Sequence, residues 1–309
     1  MPIDPNVIEI LSQVRVAEFS MLTRSGGVTT RPLASVWLPE RELIGLSTPI
    51  AYTQKVANVR RDGRVALLYS DFTGSGLPGD TAVLVQGTAT VPDVPVASFE
   101  EMADYWRAIL PRTPGIVHAL ADEGYRRAMD WYYWRLPIHV VPERVQVFKA
   151  TPAGGAWEPP PPSGPSCLRV RDAMGRYPTA VLSGRDATGH PCSARATISI
   201  SGHADDILVR PSQPYAAEPG TSALLWHRHD GEYGHMSTLL VTGDAAPGGP
   251  EWTFTPGTVP GGPAEPRDEA SYHAWATASR ERSLAYLRRH GLDLPEVPWD
   301  VLASLVNPA

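Results

Sequence analysis

The sequence has 309 residues, of which 42% are hydrophobic and 19% are charged, and its net charge is −6. A chain of this length can bury two cores of ordinary size. The negative net charge excludes a global attraction to nucleic acid or to an anionic membrane, so any phosphate-binding chemistry must come from a local basic cluster. The 32 prolines and 27 glycines predict many turns and short elements, which favours a β-rich fold.

The sequence predicts a soluble, cytoplasmic protein with no nucleic-acid or membrane partner. Its cysteines, Cys167 and Cys192, have neither the number nor the spacing of a disulfide framework or a zinc knuckle. The first residues, MPIDPNVIEILSQ, carry acidic groups where a signal peptide would carry basic ones. No apolar stretch approaches the roughly 20 residues that a membrane-spanning helix needs.

The first half of the chain predicts strands flanked by helices. Asn6 to Val16 and Phe99 to Leu110 place their apolar residues at helical spacing. Phe19 to Thr48 contains short apolar runs separated by turn signals, which predicts a three-stranded meander. Two further strands are predicted in RVALLYSD and VLVQGTA. Ile138 to Phe148 resumes the strand pattern, with a Pro-Glu turn in its middle.

A proline-rich segment, Thr151 to Ser166, predicts an interdomain spacer because its four consecutive prolines favour an extended, stiff backbone. It separates a first domain, residues 1–150, from a second domain, residues 167–309, with the spacer at 151–166. The alternative is a proline-rich loop lying on one larger domain.

The same order of strands recurs after the spacer. Tyr177 to Asp186 corresponds to the first strand, Ala194 to Ile200 and Asp206 to Arg210 to the meander, SALLWHRHDGEYG to VALLYSDFTGSG, and LLVTGDA to VLVQGTA. The alternative is chance similarity among short β segments. The recurrence favours a duplicated unit, and Arg267 to His290 then predicts a terminal amphipathic helix that packs on the second barrel.

One block of the first copy has no full counterpart. Ser47 to Gly63, STPIAYTQKVANVRRDG, corresponds in the second copy only to the shorter segment Pro211 to Gly220, which lacks the lysine and the paired arginines. The block brings hydroxyl groups, Lys55 and a predicted helix N-terminus into one loop, and these are natural partners of a phosphate. The alternative is a solvated basic turn with no ligand.

This block and its surroundings resemble the pyridoxamine 5′-phosphate oxidase-like split-barrel superfamily, which binds FMN or related deazaflavins. The resemblance covers GGVTTRPLASVWLPERELIGLSTPIAYTQKVANVRRDGRVALLYSD and VLVQGTA well, and His139 to Phe148 loosely. It implies a mainly β protein with flanking helices (α+β), built from two tandem split β-barrels that form an internal pseudo-dimer. Members are usually homodimers, so the chain is expected to be a monomer of this kind or a homodimer.

The resemblance implies a set of cofactor-binding residues. A strand backbone runs beside the isoalloxazine, and hydroxyl and polar groups hold the phosphate; in this sequence the residues are Pro32, Ala34, Ser35, Val36, Trp37, Ser47, Thr48, Gln54, Lys55 and Asn58. True pyridoxamine phosphate oxidases have a lysine at the position of Trp37 and an arginine at that of Gln54, so formation of pyridoxal phosphate is not expected. Trp131, Trp134 and Arg135 lie near the family's aromatic and basic groups, and we interpret them first as core packing.

The functional expectation is an FMN-dependent oxidoreductase that acts on a small organic substrate by hydride transfer through flavin N5, with a nicotinamide as possible reductant. The alternatives are a deazaflavin-dependent reductase and a non-catalytic flavin- or haem-binding protein. No residue is identified as a catalytic acid or base. One flavin per chain is expected, since the second copy lacks the Lys55 loop.

The segment HRHDGEYGH is a separate candidate. His227 and His229 would point to the same face of a strand, with His235 across the Asp230-Gly231 turn. A metal or haem ligand set is one interpretation. We favour a polar hairpin tip without metal, because no carboxylate or cysteine pattern accompanies the histidines.

Overall fold

The computed structural model of the protein describes residues 3–93, 99–113, 116–158, 166–200, 206–260 and 268–306. Its first barrel is closed by six antiparallel strands in the neighbour order β1-β2-β3-β6-β5-β4. The strands are β1 (Val16–Leu22), β2 (Val28–Leu38), β3 (Leu43–Pro49), β4 (Arg64–Tyr69), β5 (Thr81–Thr90) and β6 (Arg135–Lys149). The predicted meander is confirmed as β1, β2 and β3.

The second barrel repeats this neighbour order, which confirms the predicted tandem-barrel fold. Its strands are β7 (Thr179–Arg185), β8 (Pro191–Ile200), β9 (Ile207–Pro211), β10 (Gly220–His229), β11 (Met236–Gly248) and β12 (Glu251–Thr258). The sequence pattern missed β12, because Pro256 and Gly257 interrupt its alternation of apolar and polar residues.

The helices lie mostly around the first barrel. They are α1 (Pro5–Gln13), α2 (Gln54–Arg61), α3 (Phe99–Ile109), α4 (Ile116–Ala121), α5 (Glu123–Tyr133), α6 (Ser166–Arg176), α7 (Glu269–His290) and α8 (Trp299–Val306). α1 shows why the chain becomes helical locally: the Asp4 side chain accepts from the Asn6 amide at 2.8 Å, and Pro5 occupies the first turn, where no N–H is needed.

Both barrels carry a β-bulge at the same place. The register shifts between Gln86 and Gly87 in β5, and between Thr242 and Gly243 in β11. A Cβ atom on either glycine would lie 2.1 Å from a backbone carbonyl oxygen of the neighbouring strand, so only glycine fits. The predicted Pro-Glu turn in β6 is wrong: the strand runs unbroken opposite this bulge.

The two barrels meet along β1, β2, β7 and β8, where four hydroxyl groups form a buried ring. Ser20 Oγ lies 2.8 Å from Thr30 Oγ1 and 2.7 Å from Ser193 Oγ; Thr30 donates to Ser183 Oγ at 2.7 Å, and Ser183 lies 3.0 Å from Ser193. Each barrel contributes one cross-strand pair to the ring. The barrels therefore face each other as related halves of an internal pseudo-dimer.

Every residue of β1 is buried, because one face of the strand fills the first barrel and the other meets the second barrel. Glu18 is on the outer face. Its Oε1 accepts hydrogen bonds from Ser70 at 2.9 Å, from Arg195 at 2.7 Å and from His227 at 2.8 Å. Three partners stabilise the buried carboxylate, two of which belong to the second barrel.

The helix α7 packs on the first barrel, so the prediction that it packs on the second barrel is wrong. Arg280 of α7 pairs with Asp130 of α5, with Nη2 2.8 Å from Oδ2, and Ser279 Oγ lies 2.7 Å from the Tyr52 hydroxyl. The buried residues of α7 include Ala276, Ser279 and Ser283, which are small and did not enter the apolar pattern that predicts this helix.

The start of the predicted spacer packs on the second barrel. Arg228 donates to the carbonyl of Gly154 at 2.6 Å and also to the carbonyl of Ala153. The four consecutive prolines lie outside the described residues. The spacer at 151–166 and the two domain boundaries stay predictions.

Candidate functional site

The strands β2 and β3 pair along only part of their length. They pair only from Ser35 to Leu38 of β2, although β2 begins at Val28 and β3 continues to Pro49. Pro32 and Pro49 lie in the separated segments, and neither has an N–H to donate across the gap. We call this region, residues 29–34 of β2 and residues 47–50 after the paired part of β3, the β2–β3 opening.

Two predicted phosphate ligands lie at the β3 side of this opening. Ser47 and Thr48 are buried, and Lys55 at the start of α2 donates from Nζ to Thr48 Oγ1 at 3.4 Å. The Thr48 hydroxyl in turn donates to the Tyr52 carbonyl at 3.2 Å. The loop between β3 and α2 is thus folded back so that the lysine head reaches the end of β3.

Two arginines join Lys55 and were not among the predicted ligands. Arg135 begins β6 and donates from Nε to Ser47 Oγ at 2.6 Å, and Arg31 lies on β2. Burial, together with the positive charges of Arg31 and Arg135, lowers the pKa of Lys55 to about 8. Burial also lowers the pKa of Arg31. We call Arg31, Lys55 and Arg135 the cation triad.

The cation triad has no carboxylate partner among the side chains that the structure describes, and besides burial the charges that lower the pKa of Lys55 are both positive. Arg135 is instead held by aromatic faces, with its guanidinium carbon 4.8 Å from the Tyr132 ring centre and 5.6 Å from that of Trp106. Three positive charges in a partly buried site repel one another and are poorly solvated, so the site favours binding of an anion.

The other predicted site residues are divided between the opening and the packing around it. Gln54 is exposed and donates to Asn58 Oδ1 at 3.2 Å, which also accepts from Arg61 at 2.9 Å, so both acceptor positions of that oxygen are filled. Trp37 packs against the barrel core, and Ala34 and Val36 pack against the helices outside it. The Ser35 hydroxyl is buried without a hydrogen-bond partner in the described structure.

The missed arginines left only weak signals in the sequence. Arg31 directly precedes the Pro32 to Trp37 segment that the family resemblance singled out, and Arg135 follows the Trp-rich end of α5. Trp131 and Trp134 are fully buried, consistent with the core-packing interpretation. Arg135 differs from them, because pairing between Pro49 and Arg135 brings it beside the loop after β3.

The corresponding edge of the second barrel is closed. β8 and β9 pair as far as Ala196 and Pro211, and the next residue, Ser212, donates from its amide to the Arg195 carbonyl at 2.9 Å. The Ser212 hydroxyl donates to the same carbonyl at 2.7 Å, and Gln213 donates to the Ser193 carbonyl at 3.4 Å. Residues 212–219, all of which the structure describes, form no helix between β9 and β10 in place of α2.

The histidine segment lies at the junction of the barrels and is not a polar hairpin tip, so that prediction is wrong for His227 and His229. Both rings are buried; His227 Nε2 is 2.8 Å from Glu18 Oε1, and His229 Nε2 is 3.7 Å from Asp71 Oδ2. Their position on β10, a strand that also contacts β2 of the first barrel, explains the burial. His235 is exposed, and its ring stacks on Trp157 at 4.6 Å.

Opposite charges from the two barrels meet in this junction. Burial by itself would raise the pKa of Asp71, but His227, His229 and Arg195 outweigh it and bring that pKa below its ordinary value. Burial lowers the pKa of His229, while Asp71 opposes the effect. Within the described ranges, no three histidine, cysteine, aspartate or glutamate side chains are grouped to hold a metal ion.

In the part of the chain that the structure describes, no helix combines the length and the apolar composition needed to cross a membrane.

No family model matches the chain, and no curated protein matches it. It resembles the solved structure of a conserved hypothetical protein from Mycobacterium tuberculosis, with 18% identity over 48% of this chain and 86% of that one and a TM-score of 0.36. A putative pyridoxamine 5′-phosphate oxidase from Listeria innocua matches with 16% identity over 46% of this chain and 95% of that one, with a TM-score of 0.31. An FAD-binding protein from Mesorhizobium loti matches with 15% identity over 48% and 96%, with a TM-score of 0.32.

Proposed function

We propose that the β2–β3 opening binds the phosphate of FMN and that the protein is an FMN-dependent oxidoreductase acting on a small organic substrate. The observation that carries the proposal is the cation triad, three positive side chains that converge without a carboxylate among the described residues. The sequence resemblance to the FMN-binding split barrels supports the identity of the phosphate ligand.

The donor set at the opening fits a phosphate monoester, which carries nearly two negative charges at neutral pH and several strong acceptor oxygens. Lys55 and Arg31 would supply charge, and Arg135 would supply a planar pair of donors. The Ser47 oxygen accepts from Arg135, so its own hydrogen remains free to donate to the ligand. Thr48 would hold the lysine head in place, since its hydroxyl oxygen accepts from Lys55.

Bound FMN would supply hydride transfer through its N5 atom, and the protein would supply binding and orientation. Stacking of Arg135 on Tyr132 would fix the plane of the guanidinium before the phosphate arrives, which reduces the entropy lost on binding. A nicotinamide is the proposed reductant. One FMN per chain follows from the closed β8–β9 edge, where Ser212 and Gln213 already occupy backbone acceptors.

The first test is the absorption spectrum of the purified protein, followed by titration with FMN and with riboflavin, which lacks the phosphate. We expect a flavin spectrum that NADPH bleaches, and an affinity for FMN at least about tenfold above that for riboflavin, because charge-assisted hydrogen bonds contribute about 1.5–3 kcal/mol. A phosphorylated deazaflavin carries the same phosphate group, so it should be titrated in parallel. A haem Soret band, or no bound chromophore and no reductase activity, would refute the enzyme assignment.

The sharper test compares Lys55→Met with Lys149→Met. Lys149 is exposed at the end of β6, so its substitution removes the same charge away from the opening. Lys55→Met should weaken FMN binding about ten- to a hundredfold and leave riboflavin binding unchanged. Equal FMN affinity in the two variants would contradict the proposed site.

A further inference from the structure

The loop that carries Lys55 is bonded to the last long helix of the chain. Tyr52 ends a single 3₁₀ turn, Ile50–Tyr52, that lies between β3 and α2. Its hydroxyl lies 2.7 Å from Ser279 Oγ of α7 and accepts from Arg282 Nη2 at 3.0 Å. Arg282 Nη2 also donates to Ser279 Oγ at 2.9 Å, so the three polar groups form a closed ring. A side chain of the first barrel is therefore held by two residues near the end of the chain.

The backbone of Tyr52 continues this chain of contacts to the cation triad. Its carbonyl accepts from the Thr48 hydroxyl at 3.2 Å, and Thr48 Oγ1 accepts from Lys55 Nζ at 3.4 Å. The side chain of Tyr52 is thus bonded to α7, while its carbonyl is bonded to the residue that contacts Lys55. Because both ends of the residue are held, a shift of Tyr52 would also move the lysine head.

A row of aromatic rings links α7 to Arg135. The Trp275 ring of α7 lies 5.1 Å from that of Trp131, nearly edge to face at 76°. Trp131 lies 5.9 Å from Tyr132, whose ring centre is 4.8 Å from the guanidinium carbon of Arg135. Trp131 is fully buried, so close packing prevents one ring of the row from shifting without the others. Two members of the cation triad are therefore linked to α7 by separate routes.

The polar route exists only when α7 is docked on the first barrel. Ser279 is fully buried there, and a buried hydroxyl needs a hydrogen-bond partner, which Tyr52 and Arg282 supply. Arg282 is exposed, yet its guanidinium carbon lies 5.1 Å from the centre of the Tyr52 ring. Undocking of α7 would remove both partners of the Tyr52 hydroxyl and release the outer side of the loop.

We propose that α7 positions the cation triad for its anion, fixing the Lys55 loop through Ser279 and Arg282 and fixing Arg135 through Trp275. Binding of the phosphate and docking of α7 are then coupled, and each strengthens the other. The inference rests on the proposed function for the identity of the anion. Tyr52 and Ser279 are positioning residues, because they act through Lys55.

The test is titration of Tyr52→Phe with FMN and with riboflavin. Loss of the hydroxyl should weaken FMN binding about three- to tenfold and leave riboflavin binding unchanged, because Lys55 acts only on the phosphate. Tyr286→Phe is the matched control: Tyr286 also lies on the buried side of α7, but its hydroxyl has no hydrogen-bond partner in the described structure. Equal FMN affinities in the two variants would overturn the proposal.

A double-mutant cycle separates positioning of Lys55 from a general loss of packing. In the Lys55→Met background, Tyr52→Phe should cause no further loss of FMN affinity, because the group through which it acts is gone. A further three- to tenfold loss there would show another route and overturn the proposal. Should Tyr52→Phe not fold, as judged by circular dichroism, Ser279→Ala removes the same contact from the helix side and enters the same cycle.

Labelling of Lys55 in the ligand-free protein separates this proposal from the flavin assignment. The pH dependence of its reaction with an amine-directed reagent reports its pKa, which is about 8 in the docked protein. In Tyr52→Phe and Ser279→Ala the midpoint should move toward the ordinary lysine value of 10.5, because a released lysine head enters water. If the midpoint moves but wild-type protein binds no FMN, the flavin assignment fails and the positioning role stands. An unchanged midpoint in both variants would overturn the positioning role.

Discussion

The β2–β3 edge of the first barrel and the β8–β9 edge of the second barrel are built on the same strand order but end differently. In the first barrel, pairing stops at Ser35 and the strands separate around three cations. In the second barrel, pairing continues to Ala196, and Ser212 extends it by one further backbone bond. The fold therefore tolerates either ending, and the residues at the edge decide whether the two strands stay paired.

The two edges also differ in one backbone donor. Ser35 pairs with Leu46 in the first barrel, and the related pair in the second barrel is Ile198 with Val209. Pro49 lies three residues after Leu46, and Ser212 lies three residues after Val209, so these two residues occupy equivalent positions. Proline has no N–H, so it cannot make the bond with which Ser212 closes the edge.

The largest expected effect comes from breaking the junction that holds the two halves together. Glu18→Ala should lower the free energy of unfolding by about 4 kcal/mol, because Arg195 and His227 would stay buried without their carboxylate. Urea unfolding measures this loss. Glu123→Ala removes an exposed carboxylate paired with Arg127 and should change stability by less than about 0.5 kcal/mol. Similar losses in both variants would mean that the junction contributes little.

The next largest effect tests whether the β-bulges of the two barrels are equivalent. Gly87→Ala and Gly243→Ala should each cost about 2–3 kcal/mol, since each new Cβ would clash with a carbonyl oxygen at 2.1 Å. Thermal and urea unfolding of the two variants should give matching losses. A large loss in one variant and none in the other would show that the bulges are not equivalent.

A smaller effect tests the backbone donor that distinguishes the edges. Ser212→Pro should cost about 1–2 kcal/mol more than Ser212→Ala, because both lose the hydroxyl but only proline removes the N–H bonded to Arg195. The matching change in the first barrel, Pro49→Ala, should be nearly neutral in the absence of ligand. Equal stability of Ser212→Pro and Ser212→Ala would remove the donor argument.

The smallest effect concerns Lys55 and its lowered pKa. Between pH 8 and the ordinary lysine pKa of 10.5, the unfolded chain binds more protons at Lys55 than the folded one, so stability rises with pH in this window. Lys55→Met should raise the melting temperature of the ligand-free protein by about 2 °C at pH 7 and by less at pH 10. Scanning calorimetry at both pH values measures it; an equal change at both would argue against a titrating lysine.

Ligand binding should depend on pH with the opposite sign. Affinity for FMN should be constant between pH 7 and 7.5 and should fall as pH rises through 8, because Lys55 loses its proton there. Fluorescence titrations across pH 7–9.5 measure the fall. Lys55→Met should bind weakly with no such fall, and a persistent fall in that variant would assign it to another group.

The order of most strands along the chain was predictable, because both copies keep short apolar runs between turn residues; β12, which Pro256 and Gly257 interrupt, was not. The loop from Ser47 to Lys55 was predictable because it is local in sequence. The contact of Arg135 with Ser47 was not, since it depends on the pairing of β3 with β6, which joins distant segments. The same holds for Glu18 and His227, which meet only when the barrels pack.

The place of α7 was the clearest failure of sequence reasoning. A helix that follows the second barrel was expected to pack on it, and the apolar pattern that predicts an amphipathic helix does not say which barrel its apolar face covers. The partners that fix it, Asp130 and Tyr52, lie in the first half of the chain. Which surface a helix covers depends on shape and on specific polar partners, and neither is visible in periodicity.

The return of α7 to the first barrel has a consequence for protein synthesis. Ser279 and Arg282 hold the Tyr52 hydroxyl, and the Tyr52 carbonyl accepts from the Thr48 hydroxyl that contacts Lys55. During translation at about 5–20 residues per second, the first barrel emerges many seconds before α7. The half of the protein that is made first is therefore completed last, and a nascent chain would hold the loop around Lys55 without its outer support until the final helices have left the ribosome.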